Sequence, residues 1–297
     1  MNHIKDQIHC ERAYRMGLSG KGIGVAVLDT GIFLHRDFDS RVTGFADMVN
    51  RRNFAYDDCG HGTHICGIIG GSGRMSGGRY SGIAPGCNLI MVKVLDRKGN
   101  GYSSDVLAGI SWVLERKEQL GIRILNISVG ACSKRGMSEN SALVKGVNRA
   151  WDAGLVVVVA AGNNGPRTMS ITTPGISRKV ITVGCSDDDR EVLVGGNRMV
   201  DYSGRGPTAA CICKPDLVAP GCSVVSCSSR ADKYTIKSGT SMSTPIVSGA
   251  VALLLERFPD MSNKDVKLRL RESSVDIGLP RNQQGWGLLD VGKMLER

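Results

Sequence analysis

Short runs that are apolar at nearly every position recur along the chain: Gly24–Asp29, Leu89–Val94, Ile124–Ser128, Leu155–Ala161, Val180–Cys185 and Asp216–Pro220. A strand that is apolar at consecutive rather than alternate positions is covered on both faces. Between these runs lie segments with apolar residues at helical spacing: Ser104–Leu120, Ser141–Ala153 and Ser241–Phe258, then Lys264–Glu272 and Val291–Arg297. The alternation predicts an α/β fold with a mainly parallel central sheet, helices on both faces, and active groups at strand ends and in adjoining loops. No shift of composition divides the sequence, so residues 1–297 read as one domain, with 1–20 as its N-terminal segment. The Gly-rich stretch Gly70–Gly82 reads as a flexible loop, and no internal repeat is present.

Three segments carry chemistry. Asp29 closes the apolar run from Ile23 to Leu28, which delivers a carboxylate to a sheet edge. His61 stands between two glycines in Gly60-His61-Gly62-Thr63-His64, so backbone can crowd around its ring. Ser241 opens the helical stretch of Ser238-Gly-Thr-Ser241-Met-Ser-Thr-Pro245, where the helix terminus favours developing negative charge. A serine hydroxyl near neutral pH needs an adjacent base, neutral imidazole can be that base, and a buried carboxylate fixes the imidazole tautomer. The set points to peptide-bond hydrolysis by a serine nucleophile.

The order Asp, His, Ser is that of subtilisin among the known triads. The chain resembles the subtilisin-like serine proteases, most of all their bacterial, intracellular-type members. The likeness runs from Gln7-Ile8 through Lys93-Val-Leu95, Asn126-Ile-Ser128-Val-Gly130, Ala160-Ala-Gly-Asn163, Tyr202-Ser-Gly-Arg-Gly-Pro207 and Pro215-Asp-Leu-Val-Ala-Pro-Gly221 to Gly285-Trp-Gly-Leu-Leu-Asp290. The resemblance implies a three-layer subtilisin-like fold, an Asp29–His61–Ser241 triad and an acyl-enzyme intermediate. It also implies an oxyanion hole made by Asn163 and the Ser241 N–H. Polypeptide substrates would lie as an added strand between Ser128-Val129-Gly130 and Gly99-Asn100-Gly101. Small, uncharged Ala160, Ala161 and Gly162 would wall the pocket for an apolar residue before the cut bond, with its floor in Pro166–Pro174.

The resemblance also frames what differs. Only six residues precede Gln7, so the inhibitory propeptide of secreted members is expected to be absent from this chain. Asp37 resembles one ligand of their tight calcium site. The loop after the histidine is rebuilt as Gly70–Gly82 without an evident ligand set, so no cofactor is expected to be required and only weak structural calcium is left open.

Competing readings are few. Cys59, His61, His64 and Cys66 could together hold zinc, but the contexts of Asp29, Asn163 and Ser241 argue for the triad and leave His64 a structural, hydrogen-bonded histidine. Gly20-Lys-Gly22-Ile-Gly24 precedes a strand instead of joining strand to helix, which is the wrong geometry for a phosphate loop. A catalytically inert binding protein on the same fold is the alternative function, although such a relative should lack at least one of Asp29, His61, Asn163 or Ser241.

Apolar residues make up 41% and charged residues 22%, ordinary values for a globular chain, and no run nears the ~20 apolar residues of a membrane span. Net charge is +10, but the positives are scattered. The densest run, Lys264–Arg271, alternates with apolar residues as a half-buried helix does, so neither nucleic acid nor membrane is expected as a partner. The polar segment after Met1 is unlike a secretory signal, and ten cysteines lack the spacing of a small disulfide scaffold. Together these predict reduced thiols and a cytoplasmic location. Oligomeric state has no signature in the sequence.

Overall fold

A computed structural model of the chain describes residues 1–130 and 139–296. In chain order the elements are α1 (Asn2–Gln7), α2 (Glu11–Arg15), β1 (Gly24–Asp29), β2 (Val42–Asp47), α3 (His61–Gly70), β3 (Asn88–Lys93), α4 (Ser103–Arg116), β4 (Ile122–Ile127), α5 (Ala142–Asp152) and β5 (Val156–Ala160). There follow β6 (Ile181–Cys185), β7 (Val192–Val194), β8 (Asn197–Met199), β9 (Leu217–Ala219), β10 (Val224–Cys227), β11 (Tyr234–Lys237), α6 (Thr240–Arg257), α7 (Asn263–Ser273), α8 (Arg281–Gln284) and α9 (Val291–Met294).

The expected parallel sheet is present, in the order β2-β3-β1-β4-β5-β6-β9 with every pair parallel. Strands β1, β5 and β6 are buried along their whole length, as their unbroken apolar runs require. Helices α3 and α6 pack on each other and against one face, while α4 and α5 pack together on the other. The chain leaves β1 toward β3 on one side and β4 on the other. That reversal opens a crevice at the strands' carboxyl ends, where Asp29 ends β1, Ser128 follows β4 and Ala161–Asn163 follow β5.

The predicted strands and the longer helices fall within a few residues of their observed bounds. Val291–Arg297 shortens to α9, and Arg297 lies outside the described residues. Among the described residues, no helix is long and apolar enough to cross a membrane. Edge strand β2 was not foreseen because Val-Thr-Gly-Phe-Ala-Asp is mixed in polarity, and it is only half buried. Helix α3 went unpredicted because Gly62, Gly67 and Gly70 lower helix propensity. Packing overrides that propensity here. A Cβ on Gly67 would stand 2.3 Å from Ser226 Oγ and 2.9 Å from the Cys227 nitrogen, so only glycine lets the helix lie against β10. Helix α6 is buried on almost every side, which explains why its apolar residues do not confine themselves to one stripe.

The Gly67→Ala substitution is therefore expected to destabilise the fold by about 1–3 kcal/mol, read from the urea midpoint. A midpoint equal to the parent's would contradict the tight α3–β10 contact.

Candidate active site

The site starts from a carboxylate that the fold removes from water. Asp29 is fully buried, and its oxygens accept from His61 Nδ1 at 2.8 and 2.9 Å and from the Thr30 amide at 2.7 Å. Asp57 sets the entry to α3 by accepting from the amides of Cys59, Gly60 and Thr63 and from the Thr63 hydroxyl. The Thr30 hydroxyl donates to Asp57 and accepts from the Gly62 amide, which fastens β1 to the helix carrying His61. Lys93, buried at the end of β3, donates to Thr30 O at 2.6 Å, Asp58 Oδ1 at 2.7 Å and Leu95 O at 2.8 Å. The two glycines beside His61 serve close approach as expected, since a Cβ on Gly62 would sit 2.2 Å from Gly31 O.

Burial works against a charged His61 ring, but the Asp29 charge and its hydrogen bond outweigh it and raise the pKa above the ordinary value. His64 goes the other way. Burial first, then the charge of Lys237, lowers its pKa to about 3. A neutral ring at that position donates Nε2–H toward Val224 O at 3.1 Å and Thr235 O at 3.2 Å, tying α3 to the β10–β11 hairpin. Cys66 lies in the core and Cys59 is exposed, so the four residues that could have made a zinc site are not gathered into one. Replacing His64 by Ala is expected to cost about 2–4 kcal/mol of stability by leaving a cavity and two unpaired carbonyls. Thermal melts check this, and an unchanged Tm would contradict the structural role.

Ser241 lies in the first turn of α6, where backbone amides have no intrahelical acceptor. Its hydroxyl donates to Ser128 O at 2.7 Å, a main-chain carbonyl across the cleft. Asn163 Oδ1 accepts from both the amide and the hydroxyl of Thr240, each at 3.0 Å. That anchoring fixes the amide plane and leaves Nδ2 as the free donor end. Gly239 at φ +139°, just ahead of Thr240, makes the turn that only glycine adopts readily.

These groups share a cleft of about 470 Å³ lined by His61, Ser241, Asn163, Gly99, Ser128, Val129, Gly130, Ala160 and Gly162, with Asn164 beside them. Asn100 and Gly101 border an adjoining hollow of about 220 Å³. Ala161 departs from expectation: its side chain is fully buried with Val144, Ile171 and Ile176, so it does not wall the pocket. Strand alternation explains this, because Ala160 faces the cleft and its neighbour must point the other way. Within Pro166–Pro174 it is Thr172 that reaches the cleft; a Cβ on Gly130 or Gly162 would come within 2.2–2.4 Å of its side chain. Lys98 and Lys237 also line the cleft, from distant parts of the chain. Thr240, Asp57 and Thr30 were missed in the sequence, although Thr240 adjoins Ser241 and Asp57-x-x-Gly60 has the spacing of a helix entry.

A profile of the subtilase family matches residues 20–287. The chain is 42% identical to "Serine protease AprX" of Bacillus subtilis (strain 168), over 90% of this chain and 64% of that protein. It is 32% identical to "Subtilisin DY" of Bacillus licheniformis, over 96% of this chain and 94% of that one. Among solved structures, "Sphericase" superposes with a TM-score of 0.77 at 31% identity, covering 92% of this chain and 93% of its own. A cold-adapted subtilisin-like serine proteinase gives 0.75 at 29%. With the parallel sheet, the buried Asp29–His61 pair and the Ser241 helix terminus already in place, the chain belongs to the subtilase family of subtilisin-like serine endopeptidases.

Proposed function

We propose that this chain hydrolyses peptide bonds in polypeptides through Asp29, His61 and Ser241, with Asn163 and the Ser241 N–H as the oxyanion hole. The observation that carries the reading is the His61 Nδ1–Asp29 hydrogen bond beside a serine at a helix N-terminus. The Ser241 hydroxyl turns from Ser128 O to His61 Nε2, which takes its proton as Oγ attacks the substrate carbonyl. Charge on the former carbonyl oxygen is met by Asn163 Nδ2 and the Ser241 amide. His61 returns the proton to the leaving amine, and water then releases the acyl group by the same transfers in reverse.

The substrate strand lies between Ser128–Gly130 and Gly99–Gly101, and Ala160, Gly162 and Thr172 favour an apolar side chain before the cut. Residues 1–297 act as one peptidase domain. No cofactor is required. In support, Asp37, which resembles a calcium ligand of secreted members, accepts from the Tyr234 hydroxyl at 2.8 Å and the Met75 amide at 2.9 Å. The nine described cysteines are all free thiols, which supports a reducing, cytoplasmic setting.

Active-site labelling by a fluorophosphonate tests the reading. Wild type is expected to label at Ser241 and Ser241→Ala not at all; folded wild type that stays unlabelled would sink it. Since only neutral His61 can accept a proton, kcat/KM should fall as pH drops through a value above the ordinary ~6.5. In Asp29→Asn the residual activity should be far lower and its acidic limb should move down in pH, because the charge that raised the pKa is gone. For protein prepared free of zinc, chelation with EDTA is expected to shift Tm by less than about 2 °C, and a large drop would reveal a structural calcium.

A further inference from the structure

A second cluster of thiol, phenol and carboxylate side chains lies behind the Ser241 segment, outside the proposed catalytic set. Cys185 ends β6, Cys222 follows β9, and Tyr202 stands between them. The Tyr202 hydroxyl is 3.2 Å from Cys185 Sγ and 3.1 Å from Cys222 Sγ, and Cys185 Sγ is 3.1 Å from Asp187 Oδ1. The two sulfurs and the carboxylate oxygen all lie within 4.8 Å of one another. Asp187 Oδ1 is held from behind by the amides of Gly221 at 2.7 Å and Cys222 at 3.1 Å. Cys185 and Tyr202 are sealed from water, whereas Cys222 keeps a little exposure as a way in.

We propose that Cys185, Cys222 and Asp187, with the Tyr202 hydroxyl as a fourth neutral donor, form a binding site for a thiophilic divalent cation of the zinc class. A tetrahedral zinc with sulfur and oxygen donors sets them about 3.3–3.8 Å apart, so the Cys185–Asp187, Cys185–Tyr202 and Cys222–Tyr202 edges of 3.1, 3.2 and 3.1 Å need to open by about half an ångström. Sulfur donors select such ions over calcium or magnesium. The amides on Asp187 orient it, as outer-shell groups do for metal ligands. Binding replaces two S–H bonds with two metal–thiolate bonds, and both protons pass to water; nothing is oxidised or reduced. The site reaches the catalytic cleft through two hydrogen bonds: the Gly239 amide donates to Gly221 O at 3.0 Å, and the Ser223 amide donates to the Ser238 side-chain Oγ at 2.9 Å. A bound ion therefore stiffens the segment that presents Ser241.

The test uses the full chain carrying Ser241→Ala to prevent self-cleavage, kept under a reductant, exposed to zinc and freed of excess by gel filtration. Compared with a Cys185→Ser/Cys222→Ser variant, the parent should retain one additional zinc and show a Tm increase with zinc on the order of 5 °C that the variant lacks. Cadmium should give an ultraviolet thiolate–metal absorption in the parent that the variant lacks. If the double variant fails to fold, Asp187→Asn, which keeps the acceptor for both amides, should weaken zinc binding about tenfold or more. Equal zinc content in parent and variants would overturn the site. So would a mass that shows the pair closing to a disulfide, two hydrogens lighter, in place of taking up the ion once the reductant is removed.

Discussion

A carboxylate with no access to water is the constraint around which this molecule is arranged. An unpaired charge at Asp29 would cost several kcal/mol, so the fold must bring donors to it, and it does so with His61 Nδ1 and the Thr30 amide. His61 can arrive only if α3 begins beside the end of β1, and the Thr30–Asp57–Thr63 network pins it there. Lys93 ties the same strand end to the loop ahead of α3. The His61 ring is thus held by the interaction that satisfies the buried acid.

The other half of the site follows from the other side of the sheet's switch point. Strands β4 and β5 end at the Ser128 and Asn163 segments, and α6 runs beneath them with its N-terminus toward the cleft. Thr240 couples the two by fixing the Asn163 carboxamide, so the Asn163 and Ser241 segments share one anchor. The Ser241 hydroxyl rests on Ser128 O, across the cleft. Tight glycines at 31 and 62 let backbone meet backbone, and those at 130 and 162 make room for the Thr172 side chain.

Much of this was legible in the sequence because it rests on local chemistry. Uniform apolar runs announced β1, β3, β4, β5, β6 and β9, and the settings of Asp29, His61, Asn163 and Ser241 were recognisable from their immediate neighbours. What escaped depended on non-local packing. Helix α3 contradicts its own glycine content and forms because β10 covers it. The inward turn of Ala161 follows from a strand register that the text of Ala-Ala-Gly-Asn does not display. The Gly195-Gly196 turn between β7 and β8 offered a hairpin signal that went unused, whereas nothing local shows that Lys98 and Lys237 line one cleft.

The tautomer of His61 is the most direct measure of whether the buried carboxylate governs the base. Nitrogen-15 NMR of the free enzyme, at a pH where the ring is neutral, should place the proton on Nδ1, directed at Asp29, and leave Nε2 unprotonated for Ser241. A neutral ring carrying its proton on Nε2 would contradict the account, because such a histidine could neither be held by Asp29 as described nor accept the serine's proton.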